Sequence, residues 1–106
     1  MKFIQVITTT PNRAQARRLA RALVEQKLAA CVQIVGPIES VYRWKGKIEK
    51  AREFICYIKT ARQMFSKLEK AIKKYHPYET PEIIALPIVA SSKDYVQWLR
   101  KETQVR

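Results

Sequence analysis

The chain is short of several things, and each shortage excludes something. It has two glycines in 106 residues, so no glycine-rich loop can cradle a phosphate at a helix start. It has one histidine, His76, and one imidazole cannot make a closed metal site, which usually takes about four ligands. Its two cysteines, Cys31 and Cys56, are too few for a disulfide framework and stay thiols in a reducing compartment. No apolar run approaches the ~20 residues that span a bilayer, so no membrane partner is expected. The opening MKFIQVITTTP holds only about five apolar residues, too few for a signal-peptide core. A cytoplasmic location is the expectation. Nor do paired carboxylates stand at a spacing that demands acid–base chemistry, and no base lies in sequence beside a thiol or hydroxyl. The chain is not expected to be an enzyme.

Acidic residues are also scarce. Nine of them face 21 basic ones, for a net charge of +12, and such charge attracts polyanions. Arg13, Arg17 and Arg21 form a stripe at four-residue steps, and Lys67, Lys70, Lys73 and Lys74 cluster later. Solvated helix faces account for both more simply than phosphate contacts. With 47% hydrophobic and 28% charged residues the composition is that of a globular protein. The length fits one domain over residues 1–106.

What is present is a clear succession of periodic segments. FIQVIT (3–8) is a β-rich run closed by a TTTPN turn. From Pro11 to about Lys27, Ala16, Leu19, Ala20, Leu23, Val24 and Leu28 recur at helical spacing and form one apolar face. Two long β-rich arms follow, AACVQIVGPIESVYRW and IEKAREFICYIKT, joined by a Lys45-Gly46 turn. Each arm is longer than the usual strand. Gly36-Pro37 predicts a bulge on an edge strand.

Thr-Ala-Arg-Gln at 60–63 reads as a capping box, so a second helix is expected to start at Thr60. Ala61, Phe65, Leu68, Ile72 and Tyr75 form its buried face, and Pro77 stops it. EIIALPIV (82–89) reads as a fourth strand, at an edge because of Pro87. Ser91 or Ser92 opens a last helix with Tyr95, Trp98 and Leu99 on its apolar side. The order is β-α-β-β-α-β plus a terminal helix. That order is the ferredoxin-like α+β arrangement, here with an overlong β2-β3 hairpin. Long unpaired edges invite another chain, so the hairpin reads as an oligomerisation device.

In a two-residue hairpin turn at Lys45-Gly46, facing residues sum to 91. Cys31 then faces Thr60 and Cys56 faces Val35, with a shift of one if Gly36 bulges. The thiols stand about 13 Å apart at ~3.3 Å per residue, well beyond the ~7 Å a disulfide tolerates. An RNA-recognition sheet needs aromatics on one face of its third strand. Here REFICYIK lacks the glycines and sets Phe54 and Tyr57 on opposite faces, so no nucleic-acid partner is expected. In HPYE, His76 and Glu79 lie three apart around Pro77. Spacing alone leaves two readings open: a partial metal site with Glu79 or Glu82, or a helix-terminal histidine favoured by the dipole and followed by a turn.

Four stretches taken together carry a resemblance. LAACVQI (28–34), SVYRWKGKIE (40–49), YIKT (57–60) and HPYETPEIIALPI (76–88) closely resemble the CutA family of divalent-cation tolerance proteins, from about Thr9 to Leu99. The resemblance implies a ferredoxin-like fold and a homotrimer built through the long hairpins and edge strands, with an architecture like that of PII signalling proteins. It implies binding of a divalent metal, copper or zinc, or of a small ligand in clefts between subunits. It also implies His76 and Glu79 as metal-binding groups, with Cys31, Trp44, Lys59 and Tyr78 in a ligand pocket. Tyr75 and Thr8 stand where some relatives carry a second histidine and a thiol. The alternative it leaves is a PII-like regulator that binds an anionic metabolite or a protein partner.

Overall fold

Residues 2–103 are described by a computed structural model. Met1 and residues 104–106, the ends of the expected 1–106 domain, lie outside the described residues. Strand β1 (Phe3–Thr10) leads to helix α1 (Arg13–Glu25), strands β2 (Cys31–Trp44) and β3 (Lys47–Ala61), and a 3-10 turn over Arg62–Met64. Helix α2 (Phe65–Tyr75), strand β4 (Ile84–Pro87) and helix α3 (Lys93–Glu102) complete the chain. The sheet runs β2-β3-β1-β4 with every neighbouring pair antiparallel. This is the ferredoxin-like arrangement expected from the sequence, with the extra C-terminal helix.

Helix α1 begins at Asn12, whose side chain accepts the Gln15 backbone N–H. It ends where Lys27 takes a left-handed φ of 59°. Leu28 N–H then donates to the Leu23 carbonyl and Lys27 N–H to that of Val24, the reciprocal closure of a Schellman motif. Of the predicted apolar face, Ala16, Leu19 and Leu23 are buried while Val24 is exposed. Helices α1 and α2 cover one face of the sheet, where Leu19, Leu23, Leu68 and Ile72 meet Val6, Cys56 and Ile58. A smaller cluster of Phe3, Ala30, Ala61, Met64 and Leu99 seats α3 at one end of the other face.

The hairpin is the distinctive element. Lys45 and Gly46 both have positive φ, 50° and 81°, as a two-residue turn matched to strand twist requires. Strand β1 pairs with β3 only from Phe54 to Ala61, so the outer half of the hairpin projects beyond the rest of the sheet. Facing residues sum to 91 from Trp44 back to Ile38; inside, a bulge between Val35 and Ile38 shifts the register by one. Cys31 therefore faces Lys59, not Thr60, and Cys56 faces Ile34, not Val35. The bulge places Gly36 against the Phe54 ring, where an added Cβ would clash.

Three expectations need correction. Thr60 does not cap α2; it is a paired residue of β3 opposite Ile4, and its hydroxyl donates to the Leu28 carbonyl at 2.7 Å. Pairing with β1 holds the chain extended through Ala61, so α2 starts at Phe65 without a side-chain cap. Strand β4 is shorter than predicted because only Ile84–Pro87 finds partners on β1, although Pro87 does lie on an edge strand. On α3, capped by Ser92, Leu99 is buried and Val96 half-buried, while Tyr95 and Trp98 are exposed. The sheet beneath α3 offers a socket for only one side of that helix.

Candidate functional site

The bulge sets up the site. Inside it, odd-numbered residues of β2 share a face with Ile55, Tyr57 and Lys59; beyond it, the even-numbered Ile38, Ser40, Tyr42 and Trp44 share that face with Glu53. The segment leaving α2 passes over this outer surface. Between them lies a cleft of about 820 Å³ lined by Tyr42, Trp44, Glu53, Tyr78, Glu79 and Glu82, among others, a volume suited to a small ligand.

His76 stands at the end of α2 and holds the wall of the cleft in place. Its Nε2 lies 2.6 Å from the Thr9 carbonyl, and its Nδ1 accepts the Tyr78 backbone N–H at 3.2 Å. A carbonyl can only accept, so Nε2 carries the proton and the ring is the neutral tautomer. Both nitrogens are then committed to backbone. A metal could reach His76 only if one of these bonds opened.

Tyr78 continues the same chain of contacts. Its ring lies 4.8 Å from the imidazole, centroid to centroid, and its hydroxyl donates to Glu53 Oε2 at 2.8 Å. Burial, then the hydrogen bond to Glu53, raises the Tyr78 pKa above its ordinary value, so the phenol remains a donor. Glu53 is only 6% exposed. Glu79 and Glu82 are exposed on the turn.

Of the six residues predicted to form the site, Trp44, Tyr78 and Glu79 line this cleft, and His76 supports it from behind. Cys31 and Lys59 do not line it. They face each other at the inner end of the hairpin, where Lys59 Nζ donates to Gln33 Oε1 at 2.6 Å and Cys31 contacts Tyr95. Cys56 points into the helix-covered core, and burial pushes its thiol up to about 11. Residues the sequence reading missed are Glu53 and Tyr42. The sum-91 register of the outer arm was the signal that could have found them, because it puts both on the face of Trp44.

The donor set can be tested against a divalent ion. Glu53, Glu79 and Glu82 offer carboxylate oxygens, which suit divalent cations. Among the described residues, no three histidine, cysteine or acidic side chains converge closely enough to hold a metal. The carboxylates suit a divalent cation in their chemistry, but the described residues of one chain do not close a site. The arginine stripe is partly spent on structure: Arg13 lies 4.7 Å over the Phe54 ring and donates to the Gly36 carbonyl, and Arg21 pairs with Glu25 at 2.8 Å.

A ferredoxin-like sheet whose elongated hairpin projects past its partners, and meets the turn after α2 in an acidic and aromatic cleft, defines a recognisable class. The sequence model of the CutA1 divalent ion tolerance protein matches residues 4–102. The chain belongs to that family. It is 45% identical over 98 residues to the divalent-cation tolerance protein CutA of Thermus thermophilus, covering 92% of this chain and 95% of that one. The solved Thermus structure superposes with a TM-score of 0.94 at 43% identity, covering 96% and 99% of the two chains. A chloroplastic CutA of Arabidopsis thaliana is 44% identical over 95% of this chain, which spans 56% of that relative's length. The structure of a periplasmic divalent cation tolerance protein CutA from Archaeoglobus fulgidus has a TM-score of 0.93 at 38% identity, over 96% and 99% of the chains. These relatives are named as tolerance proteins or simply as CutA, not as enzymes. Among the described residues no helix is long and apolar enough to cross a membrane.

Proposed function

We propose that the chain serves divalent-cation tolerance by binding a cation, a divalent metal such as copper or zinc or a small cationic ligand, in the hairpin cleft of a homotrimer. One observation carries this reading. A chain with 21 basic and 9 acidic residues sets three of its carboxylates, Glu53, Glu79 and Glu82, around one cleft. Negative potential held locally on a basic protein selects positive ligands. It favours a cation over the anionic metabolite of a PII-like regulator.

Glu79 is the primary metal ligand, with solvent or donors of a second copy completing the set and His76 joining if the turn opens. Trp44 and Tyr78 shape the walls. The role is binding, not catalysis: the one imidazole is engaged by backbone at both nitrogens, and the Cys56 thiol is buried and protonated. The trimer reading is supported by what one chain leaves uncovered. Val35, Ile84 and Leu86 on the second sheet face are 47%, 49% and 45% exposed, and β2 and β4 are both free edges. Copies packed on these surfaces bury them and bring further donors to each cleft. A reducing cytoplasm suits a chain with two free thiols.

Calorimetric titration of Cu(II) and Zn(II) into wild type, Glu79→Gln and His76→Ala tests the metal reading, and sedimentation tests the trimer. The expected result is about micromolar binding, weakened roughly tenfold in Glu79→Gln by loss of one charged ligand. Binding that ignores Glu79, or a monomer in solution, contradicts it.

A further inference from the structure

The walls of the cleft narrow the ligand class further, on the reading that the cleft is a binding site. Its carboxylates do not converge on one point, as a bare metal ion asks: among the described residues no three such groups form a cluster. They are set around a cleft of about 820 Å³, far larger than a metal ion needs. The surface between them is aromatic, with Tyr42, Trp44 and Tyr78 contributing to the same lining. Aromatic faces attract alkylammonium groups through the ring quadrupole and pack against methylene chains. Trp44 already shows this behaviour, since Lys45 Nζ sits 5.5 Å from its ring centroid.

Glu53 supplies the anchor. It is 6% exposed and lines the cleft, and its Oε2 accepts from Tyr78, while Oε1 accepts no hydrogen bond among the described residues. The side chain lines the cleft and its second oxygen keeps access to solvent, which leaves a charged acceptor for a donor there. Glu79 and Glu82 place two further negative charges on the rim, against the positive charges of Arg43 and of Lys45 beside Trp44. The net +12 of the chain opposes cation entry only weakly, because charges beyond about 8 Å are largely screened at physiological salt.

We infer that the cleft binds an aliphatic polyamine, with one ammonium group donating to Glu53, others drawn to Glu79 and Glu82, and the methylene chain lying on Tyr42 and Trp44. The aromatic lining contributes to an amine and does nothing for a metal ion, and this difference makes the two ligands separable.

The test titrates spermidine and, separately, Zn(II) into the full chain, its Glu53→Gln variant and its Trp44→Leu variant, with circular dichroism and sedimentation as folding controls. Glu53→Gln keeps the acceptor for Tyr78 and removes the charge. Trp44→Leu lies on the exposed outer arm and keeps the core intact. The expected result is saturable spermidine binding, about tenfold weaker in Glu53→Gln and about fivefold weaker in Trp44→Leu, with Zn(II) binding unmoved by Trp44→Leu. Zn(II) binding without spermidine binding overturns the polyamine inference and leaves the cleft reading standing. Spermidine binding indifferent to both substitutions also overturns it, and binding of neither probe overturns both.

Discussion

Tyr78 donates its hydroxyl to Glu53 at 2.8 Å, and this bond ties the turn after α2 to the floor of the hairpin. The two residues come from parts of the chain that share no strand pairing, and the bond joins them across the cleft. Replacing Tyr78 with Phe leaves Glu53 without its one side-chain donor among the described residues. A bond to a charged acceptor of this kind contributes about 1.5–3 kcal/mol. Urea unfolding of Tyr78→Phe at fixed protein concentration should show a loss of that order. An unchanged midpoint would show that the bond does not hold the turn.

His76 predicts a different signature. His76→Ala removes the donor to the Thr9 carbonyl and the acceptor of the Tyr78 N–H. Thr9 is buried, so its carbonyl loses a partner water cannot easily replace, at a cost of about 1–3 kcal/mol. Hydrogen exchange should report the change locally, with the Tyr78 amide protected in wild type and fast in the variant. Unchanged protection would contradict the role assigned to the ring.

Gly36→Ala tests the bulge. An added Cβ meets the Phe54 ring, and Phe54 is packed in the main core. Overpacking of this kind costs about 1–3 kcal/mol, measurable as a lower thermal midpoint. The double change Gly36→Ala with Phe54→Leu should recover part of the loss, because the smaller side chain makes room.

Stability should fall in alkali through Cys56. Burial holds its pKa at about 11 in the fold, against 9.0 for the free thiol. The folded chain therefore binds more protons than the unfolded one across that window. The stabilisation is complete below pH 9 and is lost as pH rises toward 11, by roughly 2–3 kcal/mol. Urea unfolding of Cys56→Ala across the same range should show a shallower decline than wild type. Parallel slopes would contradict the assignment.

How far the site was legible follows from the range of each interaction. The strands, the turn at Lys45-Gly46 and the edge prolines are local, and the order they gave was the fold. Thr60 misled because its neighbours satisfy a capping pattern, while strand pairing with Ile4, invisible in local sequence, held it extended. Trp44, Tyr78 and Glu79 were named through resemblance to a family, and all three line the cleft. Glu53 was not, since a glutamate within a strand carries no motif, and only the pairing register of the outer arm sets it on the face of Trp44. His76 stood out as the one histidine, but its partners could not be read: Thr9 lies 67 residues away.

The cleft between the hairpin and the HPYETPE turn is proposed to take a cation. Anomalous diffraction from crystals soaked in Zn(II) tests it most directly. The expected result is a peak about 2.0–2.2 Å from a carboxylate oxygen of Glu79, its remaining positions filled by solvent or by a second copy of the chain against the hairpin. A peak at Cys31 at the far end of the sheet, with the cleft carboxylates bare, would contradict it.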